Sequence, residues 1–153
     1  MVSTIADQVP RLRISTDPRE LDIEMIHRYL AQDSYWARGL GRAVLDKAIA
    51  HSLCFGGYIE DRQVAFARVV TDRATFANLK DVFVQSEFRG HGYGVAIVTA
   101  VMDHRDLQRV LFTLGTADAH ALYTRFGFRS VPDPQRSMLR PGTFLNPVES
   151  AGT

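Results

Sequence analysis

The sequence predicts one α/β domain in which an antiparallel meander of three strands hands over, through a glycine loop, to a helix and a short buried strand. Three observations predict it. Extended runs at 53–59, 63–70 and 75–84 follow one another, separated only by the short polar turns Glu60-Asp61-Arg62 and Asp72-Arg73-Ala74. Directly after the last run, residues 89–94 pack three glycines in front of the apolar-periodic stretch Val95, Ile97, Val98, Val101 and Met102. The length of 153 residues, with 46% hydrophobic side chains, suits a single core. No linker, repeat or low-complexity segment divides the chain, so 1–153 reads as one domain.

The elements follow in order. Residues 11–14 alternate polar and apolar as a first strand. Asp17-Pro18-Arg19-Glu20 sets a cap, a first-turn proline and an acid at capping-box spacing, so a helix follows, with Leu21, Met25, Ile26 and Leu30 at helical intervals. Residues 32–41 break that pattern with polar side chains and two glycines, and carry Tyr35 and Trp36. A second helix covers 42–51, with Leu45, Ala48 and Ile49 facing inward. After the meander and the loop-helix unit come a short strand at 110–114 and a helix at 118–125, with Gly127 as its C-terminal cap. Phe128 begins a last strand, and another is expected at 137–140 among Pro132, Pro134 and Pro141. Residues 1–9 and 144–153 read as flexible tails.

Charge and composition narrow the function. Eighteen basic and seventeen acidic side chains nearly cancel, which excludes the broad positive field needed to hold nucleic acid or an anionic membrane surface. No apolar run reaches membrane-spanning length, and the first ten residues lack a signal-peptide core. The one cysteine, Cys54, cannot build a disulfide framework, which suits a reducing cytoplasm, and it reads as a small buried hydrophobe on a strand. Histidines at 27, 51, 91, 104 and 120 show no ligand spacing, so no metal is expected.

A strand running into glycines and then a helix leaves free backbone N–H groups at the positive end of a helix dipole, a ready site for phosphate oxygens. A side chain there would hold the phosphate off the backbone. Gly90, Gly92 and Gly94 alternate, so the dinucleotide spacing is not met, because its third glycine would fall at Val95. The lysine of a P-loop is absent too. Taken alone, the loop is a phosphate cradle or a plain tight turn.

The run Arg89-Gly90-His91-Gly92-Tyr93-Gly94 resembles the acetyl-CoA loop of the GNAT family of N-acetyltransferases, whose pattern is Q/R-x-x-G-x-G/A. Arg89, Gly92 and Gly94 fill its fixed positions. A second family pattern, A-x-x-L-Y-x-x-x-G-F, is matched by Ala119-His120-Ala121-Leu122-Tyr123-Thr124-Arg125-Phe126-Gly127-Phe128. The resemblance implies an α/β fold whose central sheet is mixed but mostly antiparallel. It has about six to seven strands, splays in the middle and is flanked by about four helices. Acetyl-CoA would be wedged between the strand ending at Val84 and the strand ending at Leu114. The backbone of Phe83 and Val84 would meet the pantetheine arm and the acetyl carbonyl, and the amides from Arg89 to Gly94 the pyrophosphate. The side chain of Arg89 either adds charge there or orders the loop.

The same resemblance implies Tyr123 as the general acid that protonates the departing thiolate. Many relatives carry a glutamate base on the strand before the glycine loop; here Asp81 is the nearest acid. It is either that base or one partner of an ion pair with Lys80 or an arginine, and His120 or a water are the other candidates. Thr116 stands where the family often has an asparagine touching the pantetheine. The loop of Tyr35 and Trp36 would roof the acceptor site, with Asp33 and Arg38 beside them, unless Trp36 closes the core instead. The expected reaction is transfer of acetyl from acetyl-CoA to a primary amine of a small molecule through a ternary complex, in the cytoplasm. A protein lysine or N-terminus as acceptor, or a non-catalytic CoA-binding module, are the rival readings. Dimers are frequent among the chains it resembles, so a homodimer is open to it.

Overall fold

The computed structural model describes residues 9–145, and the segments expected as tails, 1–9 and 144–153, lie almost entirely outside that range. Nine elements organise it: β1 (Arg13–Ser15), α1 (Ile23–Arg28), α2 (Arg42–Ala50), β2 (Leu53–Ile59), β3 (Arg62–Thr71), β4 (Phe76–Val84), α3 (Tyr93–Asp103), β5 (Leu111–Leu114) and α4 (His120–Thr124). The chain packs as two compact units, one made of residues up to Leu21 together with Ser52–Gly115, the other of Asp22–His51 with the residues from Thr116 onward.

The first unit holds the whole sheet, in the order β1-β2-β3-β4-β5. The first four strands pair antiparallel, and β5 lies parallel to β4. That parallel pair requires a crossover, which α3 supplies. The helix packs on β2, β3 and β4 through Ile97, Val98 and Val101, all fully buried, as are Phe55, Val64, Phe66 and Val69 from the strands. Between β3 and β4 the meander turns on one carboxylate. Asp72 accepts hydrogen bonds from the amides of Ala74, Thr75 and Phe76 at 2.9, 2.8 and 3.1 Å and from the Thr75 hydroxyl at 2.6 Å. These bonds hold its carboxyl below the usual carboxylate range, the Thr75 side chain contributing most.

Among the described residues the sheet has five strands rather than six to seven. The segments expected as strands from Phe128 and at 137–140 do not pair; every residue from 129 to 144 is exposed, Met138 at 98% and Leu139 at 85%. Pro132, Pro134 and Pro141 each remove a ladder donor from that stretch, and Pro134–Arg136 forms a single 3-10 turn instead.

The second unit pairs α1 with α2, burying Ile26, Leu30 and Leu45. The predicted start of α1 needs correction. Asp17 caps only a 3-10 turn, Pro18–Glu20, after which Leu21 returns to extended backbone at φ −69°, ψ 132°. The N-cap of α1 is Asp22, whose carboxylate accepts the Met25 amide at 3.1 Å. At its other end α1 widens into a π-helical turn, Tyr29–Asp33, closed by the Ser34 amide on the Tyr29 carbonyl at 2.9 Å. Buried Ser34 then donates its hydroxyl to the Leu30 carbonyl at 2.6 Å and accepts the Ala37 amide at 3.1 Å. Those two bonds fix the loop that carries Tyr35 and Trp36. His27, on the α1 face, is half-buried with its Nε2 2.7 Å from the Leu40 carbonyl.

Candidate active site

Within the first unit, β4 and β5 pair for only four positions, Phe76↔Leu111 to Leu79↔Leu114. β5 ends there, while β4 continues to Val84. The Asn78 side-chain amide donates to the Thr113 hydroxyl at 2.7 Å and ties the strands just before they part. Beyond Leu79 the β4 backbone keeps β3 on one side only: Phe83 pairs with Phe66, Val84 with Ala65, and the Gln85 amide reaches the Val64 carbonyl at 2.8 Å. A strand edge left without its neighbour is a place where an extended ligand can add main-chain hydrogen bonds.

The glycine loop lies at the end of that edge. Gly90 and Gly92 adopt φ of +84° and +81°, a region that favours glycine, and a Cβ built on either would meet nothing within 4 Å. The space over both is therefore open. Gly92 is the N-cap of α3, no side chain caps that end, and the first helical bond is the Ala96 amide to the Gly92 carbonyl at 3.0 Å. The amides of Tyr93, Gly94 and Val95 thus precede the helical ladder at the positive end of the dipole. Gly94 has an ordinary helical backbone, and its Cβ would lie 3.9 Å from Val84, so its role is to let the helix start close to β4. Tyr93 points inward: it is buried, and its hydroxyl donates to the Pro10 carbonyl at 2.6 Å, which anchors the helix start to the chain before β1. His91 is exposed and packs on Tyr93 with ring centres 5.7 Å apart; both line a surface cleft of about 370 Å³ with Glu87 and Phe88. The Arg89 Nε donates to the Val84 carbonyl at 3.2 Å, so its side chain orders the loop against the end of β4.

Asp81 occupies a bulge. Across the β3–β4 ladder Phe66 pairs with Phe83 and Arg68 with Lys80, so Asp81 and Val82 together oppose the single residue Ala67. Asp81 takes φ +56°, a left-handed value that aspartate tolerates better than most residues. Its Oδ2 accepts from the Arg68 Nε at 2.8 Å, and both side chains are nearly buried, at 10% and 14% exposure. Arg68 Nη1 also donates to the Ser52 hydroxyl at 3.1 Å. Arg68 was not singled out in the sequence, although a charged residue inside the apolar run 64–70 was the available signal. The simple alternation that puts Lys80 and Asp81 on opposite faces stops at this bulge.

The second unit gathers the aromatic residues. Tyr123 on α4 is buried and stacks edge-on against Phe128, with ring centres 5.9 Å apart. Burial, and then Tyr35 and Asp118 nearby, push its phenol above the ordinary tyrosine range. Tyr35 is 58% exposed, meets Trp36 edge-on at 5.1 Å and accepts the Ala117 amide on its hydroxyl at 3.4 Å. Trp36 is half-buried. Thr116 uses its hydroxyl to accept the Ala119 and Asp118 amides at 3.0 and 3.4 Å, capping the entry to α4. His120 is exposed. Gly127 closes the far end at φ +91°, the left-handed cap expected there.

A family model described as an acetyltransferase (GNAT) domain matches residues 50–130, more than half of the chain and all of the glycine loop, the splayed strands and α4. The chain belongs to the GNAT acetyltransferase family. One solved GNAT structure, a candidate acetyltransferase from Xanthomonas campestris pv. campestris, is 52% identical; the match covers 90% of this chain and 97% of that one, with a TM-score of 0.86. A candidate acetyltransferase of Gibberella zeae is 34% identical in an alignment of 100 residues that covers 53% of this chain and 56% of that protein, so this GNAT chain spans little more than half the length of that relative. A GNAT acetyltransferase from Elizabethkingia anophelis, solved with acetyl-CoA bound, shares the fold at 15% identity and a TM-score of 0.57, over 77% of this chain and 76% of its own. The GNAT sheet here is the mixed five-stranded one described above, and the described residues also form four α-helices. Among its described residues no helix is long and apolar enough to cross a membrane.

Proposed function

We propose that this chain transfers the acetyl group of acetyl-CoA to the primary amine of a small molecule by direct attack in a ternary complex. One observation carries the reading: an uncapped helix N-terminus, behind two left-handed glycines with open space above them, continues a strand edge that has lost its neighbour. The residues fit the co-substrate. The amides from Gly90 to Gly94 suit a pyrophosphate, and the stretch of β4 that runs on past the end of β5 suits an amide-bearing arm. The acetyl-CoA held by the Elizabethkingia anophelis neighbour supports the same class of ligand.

In this reading the amine, with an ordinary pKa near ~10, first gives up its proton. Its nitrogen then attacks the thioester carbonyl and the C–N bond forms; the nitrogen sheds its second proton to water as the C–S bond breaks, and the leaving thiolate takes a proton from a phenol that solvent then reprotonates. Phe83 and Val84 orient the carbonyl. Tyr123 supplies the proton to sulfur: its raised pKa keeps it a neutral phenol through the range near ~8.5 in which a thiol titrates. Water removes the ammonium proton, since the Asp81 carboxylate is engaged by Arg68 and His120 is exposed. Thr116, through its hydroxyl, is the proposed contact to the pantetheine. Tyr35 and Trp36 form an aromatic wall for the acceptor, able to stack on an apolar group or a cation. The reaction is tested by thiol release from acetyl-CoA across a panel of small amines and lysine peptides. Release with small amines supports the proposal; release only with peptides overturns the assigned acceptor class.

A further inference from the structure

We propose that Arg68 is a positioning residue: its guanidinium clamps the Asp81 bulge and so sets the β4 edge that receives the pantetheine arm. The inference rests on the acetyl-CoA reading above and assigns a part to two residues outside the glycine loop, Arg68 on β3 and Asp81 on β4. Arg68 is the one charged side chain in the run Val64-Ala65-Phe66-Ala67-Arg68-Val69-Val70. A charge at that place in a strand is retained only if it is matched, and here one guanidinium reaches two other segments. Its Nε donates to Asp81 on β4 at 2.8 Å and its Nη1 to the Ser52 hydroxyl, ahead of β2, at 3.1 Å. The ion pair is almost wholly withdrawn from water, at 14% and 10% exposure, so it is held rather than screened.

What it holds is a strained point. Asp81 has φ +56° in the middle of a strand, and an extra residue in β4 shifts everything that follows by one position relative to β3. Phe83 therefore shares its ladder face with Lys80 instead of with Leu79. The bulge lies between Leu79, the last β4 residue paired with β5, and Phe83, the first residue assigned to the ligand. A relaxed, regular β4 would turn the main-chain groups of Phe83 and Val84 to the opposite side of the strand, because the side-chain and amide pattern alternates with a period of two. Clamping Asp81 keeps those groups aimed at the gap. This also gives the Asp81 carboxylate the ion-pair role that the sequence left beside the role of base.

The test needs no acceptor. Calorimetric titration compares acetyl-CoA with 3′-phosphoadenosine 5′-diphosphate, which carries the pyrophosphate but no pantetheine arm. Arg68→Lys, which keeps the charge but loses the fork, is expected to weaken acetyl-CoA by about tenfold, with a larger loss in Arg68→Met, while the nucleotide binds as to the natural chain. Adding Asp81→Gly to Arg68→Met is expected to restore most of the loss, because glycine adopts the left-handed backbone without a clamp. If Arg68→Met does not fold, Arg68→Lys carries the comparison alone. The proposal is overturned if the folded variants bind acetyl-CoA like the natural chain, or if both ligands weaken equally, which would mean general loosening. If the natural chain binds neither ligand, the acetyl-CoA reading itself falls.

Discussion

Tyr123 shows how a single residue can be read from its surroundings. Its hydroxyl is part of a buried phenol, and the neighbours that matter, Tyr35 and Asp118, both oppose a negative charge there. Proton transfer by a positioned group is worth about 10²- to 10⁴-fold in rate, so Tyr123→Phe should cut thiol release by that order while acetyl-CoA binds unchanged in calorimetry. An unchanged rate across pH 7 to 9 would remove the acid role. The sign of the stability effect also follows. The folded pKa is raised above the unfolded value near ~10, so the contribution is complete below that value and is lost as pH rises through the folded pKa. Urea unfolding of the natural chain should therefore weaken more steeply than that of Tyr123→Phe above pH 10. Cys54 gives the opposite kind of reading. Burial pushes its thiol up to about 12, so it stays protonated at neutral pH and should resist alkylation by iodoacetamide until urea unfolds the chain.

At the scale of elements, the meander and the loop-helix unit were legible because their signals are local. Leu53–Ile59 is bounded as expected, α2 ends within a residue of the reading, and α3 starts inside the glycine loop. The start of α1 was misplaced because Asp17 and Asp22 both carry capping chemistry, and only the return of Leu21 to extended backbone decides between them. Gly92 is needed for its backbone: at φ +81° a side chain is strained by about 1–2 kcal/mol, so Gly92→Ala should lower the melting temperature and weaken acetyl-CoA together. Gly94→Ala, with a helical backbone and 3.9 Å to its nearest neighbour, should leave the melting temperature close to that of the natural chain. The β3–β4 turn makes an acid-sensitive prediction. The carboxyl of Asp72 is held below its ordinary range by Thr75 first and then by backbone amides. Its stabilisation is therefore present above the unfolded pKa near ~4 and fades as pH falls through the folded value. The difference in melting temperature between the natural chain and Asp72→Asn should be clear at pH 7 and shrink toward pH 2.

Across the whole molecule, topology was less legible than the parts. The sequence points to seven extended runs, and five form strands among the described residues, because a run becomes a strand only where a neighbouring edge accepts it. Pro132, Pro134 and Pro141, and a stretch with Met138 and Leu139 in water, withhold that pairing. The split of β4 from β5 was implied by the two family patterns and not by periodicity. The Asp81 bulge was hidden, since one inserted residue changes no composition, and the adjacent polar pair Lys80-Asp81 before Val82-Phe83-Val84 does not say which residue is the extra one. The amides behind Gly92 and the part of β4 that outruns β5 carry the proposed cofactor site. Isothermal titration of the pure chain with acetyl-CoA tests both at once: a saturable one-to-one heat with a rise in melting temperature is predicted, and flat heats with an unmoved melt would contradict it.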